Sequence, residues 1–174
     1  MKGVLFIHLR RYLETVHPAV RWNDILSESG ITEHFSERWD YPDDMLVSIV
    51  ETAAQLVSAS PPEVWYGFGR HSMREFRKNF HWYFHGHSDA TSFLLALDAT
   101  HTDAVRQVPG ATPPRFSADV AEDGSLTITY RSPRLMLAYL RGAIDGVLEI
   151  YGEHAEVTIL DSGDWGCSVQ LQFL

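Results

Sequence analysis

The sequence predicts an α+β fold in which helices come first and an antiparallel sheet follows. Up to about residue 108, apolar side chains recur at spacings of three and four, which is the period of amphipathic helices. After residue 115, two segments alternate apolar and polar residues around turn signals, and a helical stretch separates them. We therefore expect a helical subdomain packed on a second subdomain of helices and a four-stranded antiparallel sheet.

Five helices are predicted in the first part. The first begins near residue 2 and stops at His17-Pro18, because the residue before a proline disfavours helical geometry. Gly30 ends the second, and Pro42 with two aspartates begins the third. Ser60 is a candidate N-cap for the fourth. The five predicted spans are about 2–17, 22–29, 42–59, 60–80 and 88–108.

The second part contains two hairpins and a long helix. "RFSADVAEDGSLTITYRS" alternates on both sides of Asp123-Gly124, a favoured pair for tight hairpin turns. Residues 134–151 return to helical period, and "AEVTILDSGDWGCSVQLQF" then turns at 162–166. No repeat or linker interrupts the chain, so we expect one domain over 1–174, with a helical subdomain at about 1–60 and an α/β subdomain at about 61–174.

Composition narrows the classes of partner and location. The 174 residues carry a formal net charge of −9, which disfavours nucleic acid and anionic membrane surfaces as partners. The single cysteine, Cys167, allows no disulfide within the chain and fits a reducing compartment. His8, Arg10 and Arg11 interrupt the apolar residues of the opening segment. That segment is neither a signal peptide nor a membrane span, and we expect a cytoplasmic protein.

One histidine lies on an otherwise apolar helix face. In "SFLLALDATHTDAV", His101 shares the spacing of Leu94, Leu97, Ala104 and Val105. A buried imidazole costs free energy unless its ring nitrogens find partners. His101 is therefore either a satisfied core residue or a ligand to a bound group.

A second feature follows the first predicted hairpin. In "TYRSPR", Tyr130, Ser132 and Arg134 occupy alternate positions, and on a strand their side chains would point to one face. A phenol, a hydroxyl and a guanidinium together suit a carboxylate or a phosphate. The alternative is an ordinary strand end with an exposed arginine. Together with His101, the triplet points to a ligand with an apolar body, a metal centre and carboxylate tails, and haem has all three.

Other chemistries have less support. His81, His85 and His87 lie within "HWYFHGHS" and His71 lies upstream, but no zinc-protease pattern accompanies them. A solvated, aromatic-rich helix end is the preferred interpretation. The G-x-G of "YGFGRHS" follows a helix signal rather than a strand, and no G-x-S-x-G nucleophile elbow occurs.

The chain resembles the haem nitric oxide/oxygen-binding (H-NOX) family, which is related to the haem sensor domain of soluble guanylate cyclase. The likeness includes "MKGVLF", "YPDDML", "FGRHSMREF", "FLLALDATHTDAV", "GATPPRF", "YRSPR" and "GAIDGVLEIYGE", and it extends over nearly the whole chain. The resemblance implies haem b enclosed between the subdomains, with His101 as the proximal iron ligand. Tyr130, Ser132 and Arg134 match the propionate-binding triad, and Pro114 matches a proline that distorts the haem. We assign Leu5 and Leu97 to the apolar wall.

The resemblance also assigns the distal side of the haem. Tyr139 matches the tyrosine that hydrogen-bonds bound oxygen in some members, and helical period predicts that it points inward with Leu135, Met136, Ala143 and Val147. Leu9 stands where the best-matched oxygen binders have tryptophan, and Ser72 where they have asparagine. Nitric oxide and carbon monoxide are the expected ligands, and oxygen binding depends on whether Tyr139 can donate.

The function implied is gas sensing rather than catalysis. Binding of nitric oxide would weaken the bond to His101, relax the haem against Pro114 and shift one subdomain against the other. We expect signalling in trans, and the resemblance suggests a histidine kinase or a cyclic-di-GMP enzyme as partner. Two alternatives stay open: a non-sensing haem or gas carrier, and a haem enzyme such as a nitric oxide dioxygenase or peroxidase.

Overall fold

The computed structural model describes residues 1–107 and 110–174 and has the predicted α+β architecture. The predicted end of the fifth helix, just before Pro109, lies outside the described residues, as do the side chains of Ala104 and Val105. The helices are α1 (Gly3–Val16), α2 (Trp22–Glu28), α3 (Asp43–Leu56), α4 (Pro61–Asn79), α5 (Trp82–His85), α6 (Ala90–Leu95), α7 (Leu97–Gln107) and α8 (Leu137–Tyr151). The strands are β1 (Arg115–Val120), β2 (Leu126–Arg131), β3 (Ala155–Gly163) and β4 (Gly166–Phe173).

All four strands pair antiparallel in one sheet, in the order β1-β2-β4-β3. Both predicted hairpins are confirmed. β2 and β4 occupy the middle of the sheet. Buried residues alternate with less buried ones along both strands, so one face of the sheet is covered by other elements. β1 and β3 form the edges, and a register shift interrupts β3 between Ile159 and Asp161.

Two apolar cores lie side by side. The first gathers residues of α1, α2, α3 and the first half of α4 around Phe6, Leu9 and Phe68. The second places α6 and α8 on the covered face of the sheet, around Phe93 and Ile128. The predicted subdomain boundary near residue 60 stays a prediction, because α4 contributes to the first core and also packs along α8.

Glycines allow α4 and α8 to approach backbone to backbone. A Cβ added to Gly69 would lie 2.1 Å from the carbonyl oxygen of Tyr139, and one added to Gly142 would lie 1.9 Å from that of Tyr66. The backbones could not come this close with larger residues. This contact fixes the position of Tyr139, at the start of α8, relative to α4.

The predicted helix over 88–108 is wrong in one respect: it is two helices. Asp89 caps α6 by accepting a 2.7 Å hydrogen bond from the Ser92 amide, and the chain changes direction at Ala96 before α7 begins. Leu94 and His101 therefore belong to different helices. Apolar spacing did not reveal the break, because it continues across it, with Leu94 on one side and Leu97 on the other.

The last helix also begins later than predicted. α8 starts at Leu137, so Leu135 and Met136 precede it, and Leu135 has a φ of 42°. The shared helix face predicted for Tyr139 therefore holds for Ala143 and Val147 but not for these two residues. Among the described residues, no helix combines the length and apolar character needed to cross a bilayer.

Candidate functional site

A cavity of about 300 Å³ lies between the two cores. This volume is at the lower end of the range for small-molecule and cofactor sites. Its walls come from α1, α4, α6, α7, β1, β2, α8 and the segment before β1. Most lining residues are apolar, including Val4, Leu5, Met73, Phe76, Phe93, Leu94, Leu97, Pro113, Pro114, Phe116, Met136, Leu140, Ala143, Ile144 and Val147. The polar lining residues are Lys2, Asp40, His101, Thr112, Tyr130, Ser132, Arg134 and Tyr139.

His101 is held as a neutral imidazole with one nitrogen available. Its Nδ1 lies 2.8 Å from the carbonyl oxygen of Leu97, which fixes Nδ1 as the protonated nitrogen and leaves a lone pair on Nε2. Burial lowers the pKa of His101, although the Leu97 carbonyl and Asp98 act in the opposite direction. No described residue hydrogen-bonds Nε2, so His101 presents a metal-ligating atom at the cavity.

Asp98 fastens α7, and with it His101, to the sheet. Its two carboxylate oxygens each accept a 2.8 Å hydrogen bond from Arg115, and the amide of Phe116 donates another at 2.9 Å. The hydrogen bonds from Arg115 and Phe116 lower the pKa of Asp98 to about 2. The Phe116 ring then packs against the His101 imidazole at a centroid distance of 5.2 Å. The sequence analysis missed Asp98, although its place one turn before His101 was visible.

Tyr130, Ser132 and Arg134 all line one end of the cavity, but not as alternate residues of a strand. β2 ends at Arg131, so Ser132 and Arg134 lie in the turn that follows, and the strand argument holds for Tyr130 alone. The turn is ordered by a 3.2 Å hydrogen bond from the Arg134 amide to the Ser132 hydroxyl. A second hydrogen bond, 3.0 Å long, runs from the Ser132 amide to the Trp165 carbonyl.

The Arg134 guanidinium is oriented by two residues that the sequence analysis did not identify. It donates to Asp43 at 2.7 Å and to the Thr112 carbonyl and hydroxyl at 2.8 and 3.0 Å. The N-terminal ammonium of Met1 also contacts Asp43, at 3.0 Å. Although burial acts against it, hydrogen bonds from these two cations hold the pKa of Asp43 below its usual value. This end of the cavity therefore carries the cationic charge that a carboxylate needs.

Tyr139 also lines the cavity and packs against Phe68 at a ring-centroid distance of 5.0 Å. Burial raises the pKa of Tyr139 to about 12, so its phenol stays protonated and can donate a hydrogen bond. Tyr139 keeps some accessible surface although protein surrounds it, because part of it faces the cavity.

The other expected distal residues lie behind the cavity wall. Leu9 is fully buried in the first core, and Ser72 is fully buried on α4; neither lines the cavity. The Ser72 hydroxyl is close to Tyr139 but has no hydrogen-bond partner among the described residues. The distal roles of Leu9 and Ser72 therefore stay predictions, whereas Leu5, Leu97 and Pro114 line the cavity.

The histidine-rich segment is not arranged as a metal site. The rings of His81 and His85 lie 5.2 Å apart on α5, but over 1–107 and 110–174 no three His, Cys, Asp or Glu residues could hold a metal together. His71 lies on α4, where its ring is 5.7 Å from that of Tyr12. His81 and His85 are exposed, whereas the Nε2 of His71 is buried and has no hydrogen-bond partner among the described residues.

The donor set of the cavity fits haem. Iron takes a neutral imidazole nitrogen, and His101 offers one. The macrocycle needs apolar walls, which the cavity has, and the propionates need donors such as Arg134. Cys167 does not line the cavity, and the chain has no Cys-x-x-Cys-His motif for covalent attachment.

Solved structures share the fold. An H-NOX protein from S. oneidensis in the Fe(II)NO ligation state aligns with a TM-score of 0.92 at 18% identity, covering 100% of this chain and 99% of that one. An oxygen-binding H-NOX domain related to soluble guanylate cyclases, in its oxygen complex, aligns with a TM-score of 0.87 at 24% identity, covering 99% and 95%. At these identities the likeness shows the fold.

Sequence comparison gives the family. Among curated proteins, none has a sequence that matches this chain. The family model described as Haem-NO-binding matches residues 2–159, which is nearly the whole chain. The protein therefore belongs to the haem-NO-binding, or H-NOX, family of gas-sensing haem domains.

Proposed function

We propose that this protein is a haem-based sensor of diatomic gases that binds haem b through His101. The observation that carries the proposal is the placement of His101: its Nδ1 is held by the Leu97 carbonyl and its side chain faces an apolar cavity. The proposed propionate donors, Tyr130, Ser132 and Arg134, line the same cavity. Non-covalent haem is favoured because Cys167 lies outside the cavity.

Bound haem would supply the iron that takes the gas, and the residues of this chain set its surroundings. The Leu97 carbonyl orients the imidazole and keeps Nε2 directed away from its own helix. Pro114 is part of the cavity wall just before β1, where a rigid ring can press against a flat ligand. Apolar residues exclude water from the cavity, and this protects a ferrous centre from side reactions.

Tyr139 is the proposed distal donor. Its phenol is protonated, faces the cavity and can donate to a polar ligand bound there. Nitric oxide and carbon monoxide need no such donor, whereas a hydrogen bond stabilises bound oxygen. We therefore propose nitric oxide and carbon monoxide as ligands and oxygen as a further ligand through Tyr139.

The proposed signal is a relative movement of the elements that line the cavity. His101 lies on α7, which Asp98 ties to β1 of the sheet, whereas Tyr139 packs on Phe68 of the helical core. A change in how His101 is held therefore moves α7 and the sheet relative to the helices. The family resemblance supports a partner in trans, and we propose a histidine kinase or a cyclic-di-GMP enzyme. A cytoplasmic location remains part of this proposal.

Absorption spectra of the purified ferrous protein under argon, nitric oxide, carbon monoxide and air test the proposal. His101→Ala should lose haem or change the ferrous spectrum, and added imidazole should restore it. His85→Ala, at an exposed histidine outside the cavity, is the matched control and should change nothing. Normal haem binding and an unchanged spectrum in His101→Ala would show that the ligand assignment is wrong.

The response of the partner enzyme distinguishes a sensor from a carrier. A sensor changes the activity of its partner enzyme when the gas is added, whereas a carrier does not. Gas-dependent consumption of substrate by the isolated protein would instead indicate a haem enzyme.

A further inference from the structure

The far half of the β3–β4 hairpin exposes three large apolar side chains. Ile159, Leu160 and Trp165 are 46%, 53% and 70% exposed, and all three lie within seven residues of one another. Single exposed apolar residues are common on protein surfaces, but three large ones in one short segment, a tryptophan among them, are typical of a site that another molecule covers. We call residues 158–165 the hairpin edge.

The hairpin edge also offers unpaired backbone. β3 is an edge strand of the sheet, and within the described chain no other strand pairs with its outer side. Arg141 donates to the carbonyl of Val157, so the start of the strand is already covered. Residues 158–163 lie beyond it and are all exposed. Six residues span about 20 Å, and the register shift between Ile159 and Asp161 divides this edge into two parts. A short extended segment can add as a strand along either part.

The charges around the hairpin edge select the occupant. Glu156, Asp161 and Asp164 make no ion pair with any described residue, and residues 155–174 contain no lysine or arginine. Two arginines belong to elements next to the hairpin: Arg141 pairs with Asp145, and Arg131 on β2 lies opposite Gly166 on β4. A second copy of this chain would bring like charges together, whereas a basic segment would neutralise them.

The hairpin is joined directly to the cavity. The Trp165 carbonyl accepts the 3.0 Å hydrogen bond from the Ser132 amide, and Ser132 lines the cavity. The backbone of Gly166 approaches Tyr130 so closely that an added Cβ would lie 2.2 Å from the Tyr130 carbonyl oxygen. A shift of Tyr130 or Ser132 therefore moves the hairpin edge.

We propose that the hairpin edge docks an extended segment of a partner protein with alternating apolar and basic side chains, which adds as a strand to β3 and covers Trp165. This proposal rests on the signalling in trans proposed above and names the surface that would carry it. Backbone hydrogen bonds give the affinity, Trp165 is the apolar anchor, and the acidic groups select basic partners.

The probe is an eight-residue peptide that alternates lysine and valine and is blocked at both ends. It should bind the haem-loaded protein in a salt-dependent manner and slow amide hydrogen exchange in residues 158–163. Trp165→Ala should weaken binding about tenfold. Trp39→Ala removes a tryptophan that is 68% exposed elsewhere and should have no effect.

Four results would overturn the proposal: no binding, equal binding of a peptide with glutamate in place of lysine, equal loss in both tryptophan variants, or protection outside β3. A dimer in sedimentation that Trp165→Ala dissociates would assign the surface to a second copy instead. Haem and gas spectra of the same samples separate the two proposals. Normal spectra without peptide binding reject the docking surface alone, and peptide binding without normal spectra rejects the haem assignment alone.

Discussion

Replacing Asp98 by asparagine should loosen the helix that carries His101. The carboxylate accepts two 2.8 Å hydrogen bonds from Arg115 and one at 2.9 Å from the Phe116 amide. Asparagine keeps the shape but loses the charge and one acceptor. Asp98→Asn therefore weakens a contact that joins α7 to β1 across 17 residues of chain.

The magnitude follows from the pKa of Asp98. The hydrogen bonds from Arg115 and Phe116 lower it from 3.8 to about 2, which corresponds to an upper limit of about 2.5 kcal/mol. The side chain of Arg115 is 72% exposed, so solvent screening reduces the expected loss to about 1 kcal/mol. Because the pKa is lower in the folded state, this contribution is complete above pH 3.8 and disappears as the pH falls towards 2.

Urea unfolding of the wild type and Asp98→Asn between pH 7 and pH 3 measures this difference. Asp24→Asn is the matched control, because Asp24 also accepts hydrogen bonds from two guanidinium nitrogens of one arginine, Arg21, each at 2.9 Å. That pair lies within one helical turn, and its side chains are 80% and 45% exposed, so we expect a loss of about 0.3 kcal/mol. Equal losses in the two variants, or a difference that persists unchanged at pH 3, would refute the reasoning.

Three further predictions follow from buried contacts. Gly142→Ala should cost about 3 kcal/mol or more in urea unfolding, because the added Cβ meets the Tyr66 backbone, whereas Gly86→Ala, with open space around it, should stay within about 0.5 kcal/mol. Burial lowers the pKa of His8 from 6.5 to about 4, so the wild type should lose up to about 3 kcal/mol as the pH falls from 6.5 to 4. His8→Leu should remove that pH dependence, and a variant that keeps it would assign the effect to other groups. Tyr139→Phe should speed oxygen dissociation about fivefold, the equivalent of one hydrogen bond, without changing carbon monoxide dissociation in stopped-flow measurements. Equal effects on both gases would contradict a donor role.

The unsatisfied nitrogen of His8 shows a limit of pattern reading. In the sequence His8 interrupts the apolar residues of the opening segment, and the structure buries it against Phe76, one of the residues of the cavity wall. Its Nδ1 has no hydrogen-bond partner among the described residues. The sequence pattern did not show that His8 is buried, because the residue that covers it, Phe76, comes from another helix.

Local signals determined much of the fold. Alternation around Asp123-Gly124 and around residues 162–166 predicted both hairpins, since strand period and turn residues are local properties of the chain. Ser60 predicted the start of α4, where its amide donates to Glu63 at 2.7 Å. The sequence did not predict the break between α6 and α7 or the late start of α8, because apolar residues continue through both positions.

The sequence by itself determined the family and the α+β class, and it named His101, Tyr130, Ser132 and Arg134 as candidate haem contacts, because a motif is read directly from residue types and their spacing. Only the tertiary structure decided how those residues are held. Asp43 and Thr112 orient Arg134 from distant segments, and Arg115 holds the helix of His101 through Asp98. Contacts across such separations leave no periodic trace in a single chain. The structure also shows that Leu9 and Ser72 are buried and do not line the cavity. Whether a side chain reaches a cavity depends on which helices pack around it.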